Sequence, residues 1–145
     1  METQNNTLKK MRGETKMKTM PDLSGFIGTE GYSYLSFMKN LKFTDGWTYL
    51  ANEVGCFWLA DIMCSVQHLP KIRENNSFIV WRIVVKDNEA LVDAHWDSEG
   101  VDAEGTSVYS VEKELYKQKI PYTDFPEGTF EWYQSGNVVM LKEEN

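Results

Sequence analysis

Asp93, His95 and Asp97 alternate along one stretch of the chain. In a β-strand that spacing sets all three side chains on one face, with neighbours about 7 Å apart. A carboxylate beside an imidazole can move a proton in general acid–base work, and the same residue types can hold a divalent metal. Read functionally, Asp93, His95 and Asp97 are the working set of a small metal-assisted hydrolase. Read structurally, they are a solvated strand face on which Arg82, from the neighbouring strand, claims Asp93. One histidine and two aspartates make a wet, weak ligand set, so the expectation is the solvated face. No catalytic set is assigned, and neither a metal nor a cofactor is expected.

Other clusters invite the same test. Asp97, Glu99, Asp102 and Glu104 gather negative charge around Gly100. They lack the ligand series and the terminal bidentate glutamate of an EF-hand loop, and read instead as an acidic binding patch. A further alternative is that the patch imitates nucleic acid and inhibits a host protein, which would make capture of a basic partner sensitive to salt. Asp61, Ser65 and His68 share a helical face and have the residue types of a hydrolytic triad. A triad draws its members from separate elements, whereas Asp61 and His68 are two turns apart on one rigid helix. Asp61 is therefore expected to be a buried structural carboxylate, held by an indole N–H or by backbone N–H groups near Gly28 or Gly46. Asp124 is expected to form an Asx-type turn. Gly25, Gly28 and Gly31 do not make a phosphate cradle, because Thr29-Glu30 puts a carboxylate where phosphate would sit.

The elements that position these residues follow from periodicity. Thr44-Asp45 supplies an N-cap, and Trp47, Leu50, Ala51 and Val54 recur at helical spacing until Gly55, a C-cap. Trp58, Leu59, Ile62, Met63, Val66 and Leu69 restart the pattern until Pro70 ends it. From Ser77 the period becomes two, and a two-residue turn at Asp87-Asn88 makes opposed residues sum to 175. Ile79 then faces Trp96, Trp81 faces Ala94, Ile83 faces Val92 and Val85 faces Ala90, all apolar, while Arg82 faces Asp93 and Val80 faces His95. A one-residue slip would spoil both faces. Residues 98–107 read as a polar loop and Glu114–Tyr122 as a strand that Pro121 marks as an edge or an end. A last hairpin turns about Ser135-Gly136, placing Phe130 opposite Leu141 and Trp132 opposite Val139. Tyr32, Tyr34, Leu35 and Phe37 form a short apolar segment, strand or irregular.

The chain has 145 residues, 41% of them hydrophobic, with a net charge of −7. That length buries roughly two-thirds of the unfolded surface without disulfides or metals. Residues 1–20 carry five basic and two acidic side chains, leaving ten basic and twenty acidic for 21–145. The first twenty residues read as a disordered tail and 21–145 as a single domain. An acidic body repels nucleic-acid phosphate and anionic lipid, so neither direct nucleic-acid nor membrane binding is expected, and a basic protein partner is the natural companion. Cys56 and Cys64, about 12 Å apart along a helix, cannot bridge and read as buried thiols in a reducing compartment. No apolar stretch follows Lys9, Lys10 and Arg12 as a signal sequence requires, so the expected location is the cytoplasm.

Five motifs occur in order: Phe26-Ile27-Gly28-Thr29-Glu30, Thr44-Asp45-Gly46, Trp58-Leu59-Ala60-Asp61-Ile62, Ile120-Pro121-Tyr122-Thr123-Asp124-Phe125-Pro126 and Gly136-Asn137-Val138-Val139-Met140-Leu141. Together they resemble a family of short bacterial proteins, often carried by phages and plasmids, catalogued only as a domain of unknown function. The likeness spans roughly Phe26 to Glu143. Cys56 stands where that family favours alanine or an aromatic, and 97–113 is longer than usual. The resemblance implies a small accessory protein of a mobile element and carries over no catalytic residue. The expected fold is an α+β two-layer sandwich, with an antiparallel sheet of four or five strands covered by two helices from residues 45–69. The expected function is a non-enzymatic interaction module working through the acidic 93–104 region or an exposed sheet edge.

Overall fold

In the computed structural model, residues 19–26, 31–101 and 107–144 are described, without side chains at 97–101 and 107–113. The tail expected at 1–20 falls outside them except for its last two residues, as does most of the turn at 26–30.

Two turns set the long hairpins. Asp87 and Asn88 both have positive φ, 53° and 63°, the conformation that a type I′ turn demands and asparagine and aspartate tolerate. They join β3 (Ile79–Lys86) to β4 (Glu89–Val101). The ladder runs from Val80↔His95 to Lys86↔Glu89, so the expected register holds over those seven pairs. In the last hairpin the turn is Gly136-Asn137, with Gly136 at φ 62°, and Ser135 pairs with Val138. The expected pairs are therefore corrected by two: Trp132 faces Leu141, and Gln134 faces Val139. Positive φ at the first central position alone is the demand of a type II′ turn, which glycine meets without strain. A shift of two leaves each side chain on its expected face.

The sheet is larger than expected and mixed, with seven strands rather than four or five, in the order β1-β2-β7-β6-β3-β4-β5. The extra strands are β1 (Tyr32–Ser33) and β2 (Lys42–Thr44), too short to show a period. β2 joins β7 (Val138–Leu141) in parallel, Phe43 opposite Val139. Of the polar loop expected at 98–107, residues 98–101 belong to β4, which runs to Val101, and Ser107 opens β5 (Ser107–Ile120), while 102–106 lie outside the described residues. β5 stops before Pro121, which has no N–H for a ladder. β6 (Gly128–Ser135) lies between β7 and β3.

Three α-helices follow β2. α1 (Asp45–Val54) is capped by Thr44, whose hydroxyl accepts from the Trp47 N–H, and it ends at Gly55 in the left-handed conformation, φ 75°. α2 (Phe57–Ser65) stops short of Pro70, which instead opens the short helix α3 (Pro70–Arg73) at a position where its missing N–H costs nothing. Trp47, Leu50 and Met63 from the helices meet Trp81, Ile83, Trp132 and Leu141 from the sheet, all fully buried. Trp47 lies 5.8 Å from Trp132, and the Trp132 Nε1–H donates to Met63 Sδ at 3.2 Å. Trp58 and Trp96 pack at the margin of this core.

Candidate functional site

The face of the sheet turned away from the helices carries the polar residues of β3, β4 and β6. Alternation puts Arg82 opposite both Asp93 and Glu131, so one guanidinium lies between two carboxylates. Arg82 Nε donates to Asp93 Oδ2 at 3.1 Å, one terminal nitrogen donates to Oδ1 at 3.3 Å, and the other lies 3.8 Å from Glu131. Lys142 closes the row on Glu131 at 3.3 Å. His95 Nδ1 is 3.0 Å from Asp93 Oδ1. A carboxylate can only accept, so the imidazole donates from Nδ1.

Burial decides what this arrangement can do. Asp93 is 5% and His95 3% exposed. An acid–base pair must reach a substrate proton directly or through a water. Here the Asp93 carboxylate is filled by a two-pronged arginine contact and the imidazole, and both members of the pair are shut from solvent. The expected solvated face is thus corrected to a buried, hydrogen-bonded pair, with the Arg82 contact as anticipated. Charges taken out of water are costly unless paired and hydrogen-bonded, and this one is. The third residue of the set, Asp97, has its side chain outside the described residues. So does Glu99, and Asp102 and Glu104 lie outside them entirely, which places the acidic patch beyond this description. Among the described residues, no three His, Cys, Asp or Glu side chains converge as ligands for a metal ion.

Asp61 is exposed, not buried. α2 buries Leu59, Ala60, Met63 and Cys64, and the opposite side, which carries Asp61 and Ser65, faces solvent. The Ser65 hydroxyl donates to the Ile62 carbonyl in its own helix at 2.8 Å. The carboxylate that does sit at the start of α1 belongs to Glu144. It accepts from the Thr44 hydroxyl at 2.5 Å, from the Gly46 N–H at 3.0 Å and from the Leu141 N–H at 2.9 Å. An anion there satisfies free N–H groups and the helix dipole. Gly46 leaves room for it, because a Cβ there would lie 2.7 Å from both Glu144 Cδ and Leu141 Cδ1 and would force one of them to shift.

In the exit from β5, the i to i+2 bond of the turn is made by Thr123, whose hydroxyl accepts from the Phe125 N–H at 3.0 Å, while Asp124 is exposed. Cys56 and Cys64 are both buried and are not joined by a disulfide. Burial pushes the Cys64 thiol up, against a hydrogen bond with the Ser36 side chain, which leaves it a poor nucleophile at neutral pH.

Two features go beyond the sequence expectations, a buried amide network and the exposure of the apolar segment at β1. Gln134, fully buried, exchanges amide hydrogen bonds with Gln67 at 3.2 and 2.9 Å and accepts from the Trp81 indole at 3.0 Å. At the β1 end, Tyr32, Tyr34 and Phe37 stand 54%, 53% and 86% exposed.

A family model for a family of unknown function (DUF6876) matches residues 17–145. The chain belongs to this family. Searches of curated proteins and of solved structures return no match. In this DUF6876 protein, Thr44 and Gly46 hold Glu144 at the start of α1. Thr123 turns the chain after β5, donating its N–H to the Asn88 carbonyl at 2.8 Å and so tying that exit to the β3–β4 turn. No helix among the described residues is long and apolar enough to cross a membrane.

Proposed function

We propose that this protein is a non-enzymatic interaction module, a cytoplasmic accessory of a bacterial mobile element, which binds a basic protein segment through the aromatic surface at the β1 end of the sheet. The observation that carries this reading is where the exposed apolar side chains fall. Tyr32, Tyr34, Phe37, Met38, Tyr49 and Phe57 are all exposed and all come from one stretch of 26 residues, whereas only Val84 and Tyr122 join them from the rest of the described chain. Aromatic side chains held in water are the usual anchors of protein interfaces.

The chemistry of the surface favours a cation. Lys42 Nζ lies 5.8 Å from the centre of the Tyr32 ring, and arginine from a partner can make the same contact with Tyr34. Asp45, Glu53 and Asp61 are exposed on the adjoining helices and add the attraction of an acidic body. That body also disfavours direct binding of nucleic acid.

A triple variant, Tyr32→Ser, Tyr34→Ser and Phe37→Ser, tests this reading. The immobilised full chain is expected to retain a basic protein from bacterial lysate that a charge-matched control does not. The triple variant should retain at least about tenfold less, with its thermal midpoint little changed, because these side chains are exposed. Equal retention by the variant, or nothing above the control, overturns the reading.

A further inference from the structure

β5 ends the strand order, and among the described residues nothing pairs with its outer edge. A fourteen-residue edge offers a long row of N–H and C=O groups to another strand. A bulge interrupts it: Ala94 pairs with Tyr116 and His95 with Glu114, leaving Leu115 extra. The bulge changes which side chains share a face. Glu114, opposite His95, and Lys117, opposite Asp93, both lie on the helix-free face, although residues three apart in a regular strand point to opposite faces. Their side chains are both about half exposed, with Lys117 Nζ 3.1 Å from Glu114 Oε1.

We propose that β5 pairs antiparallel with β5 of a second copy of this chain, about a two-fold axis through the bulge. Opposed positions then sum to 231. Glu114 faces the second copy's Lys117, Lys117 faces its Glu114, and position 112, a glutamate, comes opposite position 119, a lysine. The axis keeps equivalent faces together, so Glu114 and Lys117 of both copies lie on one side of the joined sheet, with Leu115 against Tyr116 at the centre. Every charged pair in this register is attractive. An axis at 117 or 118 instead sets Lys117 against itself or against Lys119, and one at 119 sets Lys119 against itself, so the charge pattern favours the axis at the bulge. This surface is distinct from the aromatic one at β1, on the opposite end of the sheet.

Sedimentation equilibrium of the full chain at low salt is expected to give a mass rising with concentration toward twice 16.8 kDa, and falling back as salt screens the pairs. Glu114→Lys and Lys117→Glu each oppose like charges and should weaken association about tenfold or more. The exchange of both, Glu114→Lys with Lys117→Glu, should restore it. A wild-type mass of one chain at every concentration overturns the proposal. So does association that the single variants leave unchanged, since that dimer would use another surface. Amide exchange offers a reading free of variants: protection of Glu114–Ile120 should rise with protein concentration, and protection independent of concentration counts against the pairing.

Discussion

Replacing Trp132 by alanine is expected to cost about 4 kcal/mol of folding stability and to lower the thermal midpoint by about 12 °C. Trp132 is fully buried and lies between Trp81 on β3 and Leu141 on β7. Its ring lies 5.8 Å from Trp47 and 5.7 Å from Phe130, and its indole N–H reaches Met63. The one side chain therefore touches α1, α2 and the strands on either side of its own. Removing it leaves a cavity that rigid neighbours cannot fill, which is why large-to-small changes at such sites exceed the transfer energy alone. Calorimetry checks the value. A loss below about 1 kcal/mol would mean that the helices do not pack on the sheet through this residue.

The next largest effect is expected from Asp93→Ala, about 3 kcal/mol, the low end of the range for breaking a buried ionic pair. His95 would lose its acceptor while 3% exposed. Arg82 would lose two hydrogen bonds but is a quarter exposed and keeps Glu131 nearby, which relieves part of the cost. Denaturant unfolding reads the change, and the slope should stay constant because the fold is retained. A neutral result would mean that the pair does not hold the sheet face together, and would reopen a role for Asp93 and His95 in chemistry.

The contrast between the two hairpins shows what periodicity can and cannot decide. At Asp87-Asn88 the flanking pairs are apolar on one face and include Arg82 with Asp93 on the other, so turn chemistry and alternation agree and the register is legible. At the second hairpin, turns centred on Ser135-Gly136 and on Gly136-Asn137 put the same residues on the same faces. Alternation is blind to a shift of two. β1 and β2 have two and three residues, and no period can be read from so few. The sequence around Asp61 misleads for a related reason. α2 is apolar on much of its circumference, so the run around Asp61 looks buried, whereas Phe57 is exposed and Ile62 only partly covered.

The polar contacts were the least legible part. Glu144 reaches Gly46 across 98 positions, and Gln134 reaches Gln67 across 67. Nothing local in either segment announces its partner, because such bonds exist only once the sheet has brought the two ends of the chain together. The pairing of Arg82 with Asp93 could be foreseen because a hairpin makes it local in structure. Its depth could not, since an alternating strand reads as half-solvated.

Closure of His95, 3% exposed, is what separates a structural Asp93–His95 pair from one able to do chemistry. The chain has two histidines, and the other, His68, is exposed, which supplies an internal standard. Acylation by diethylpyrocarbonate, followed residue by residue by mass spectrometry, compares them in the same molecule. In the native protein His95 is expected to react at least about tenfold more slowly than His68, because it must wait for the structure to open, and in denaturant the two should react alike. Equal rates in the native protein would contradict a sealed Asp93–His95 pair and return that pair to the list of groups able to meet a substrate.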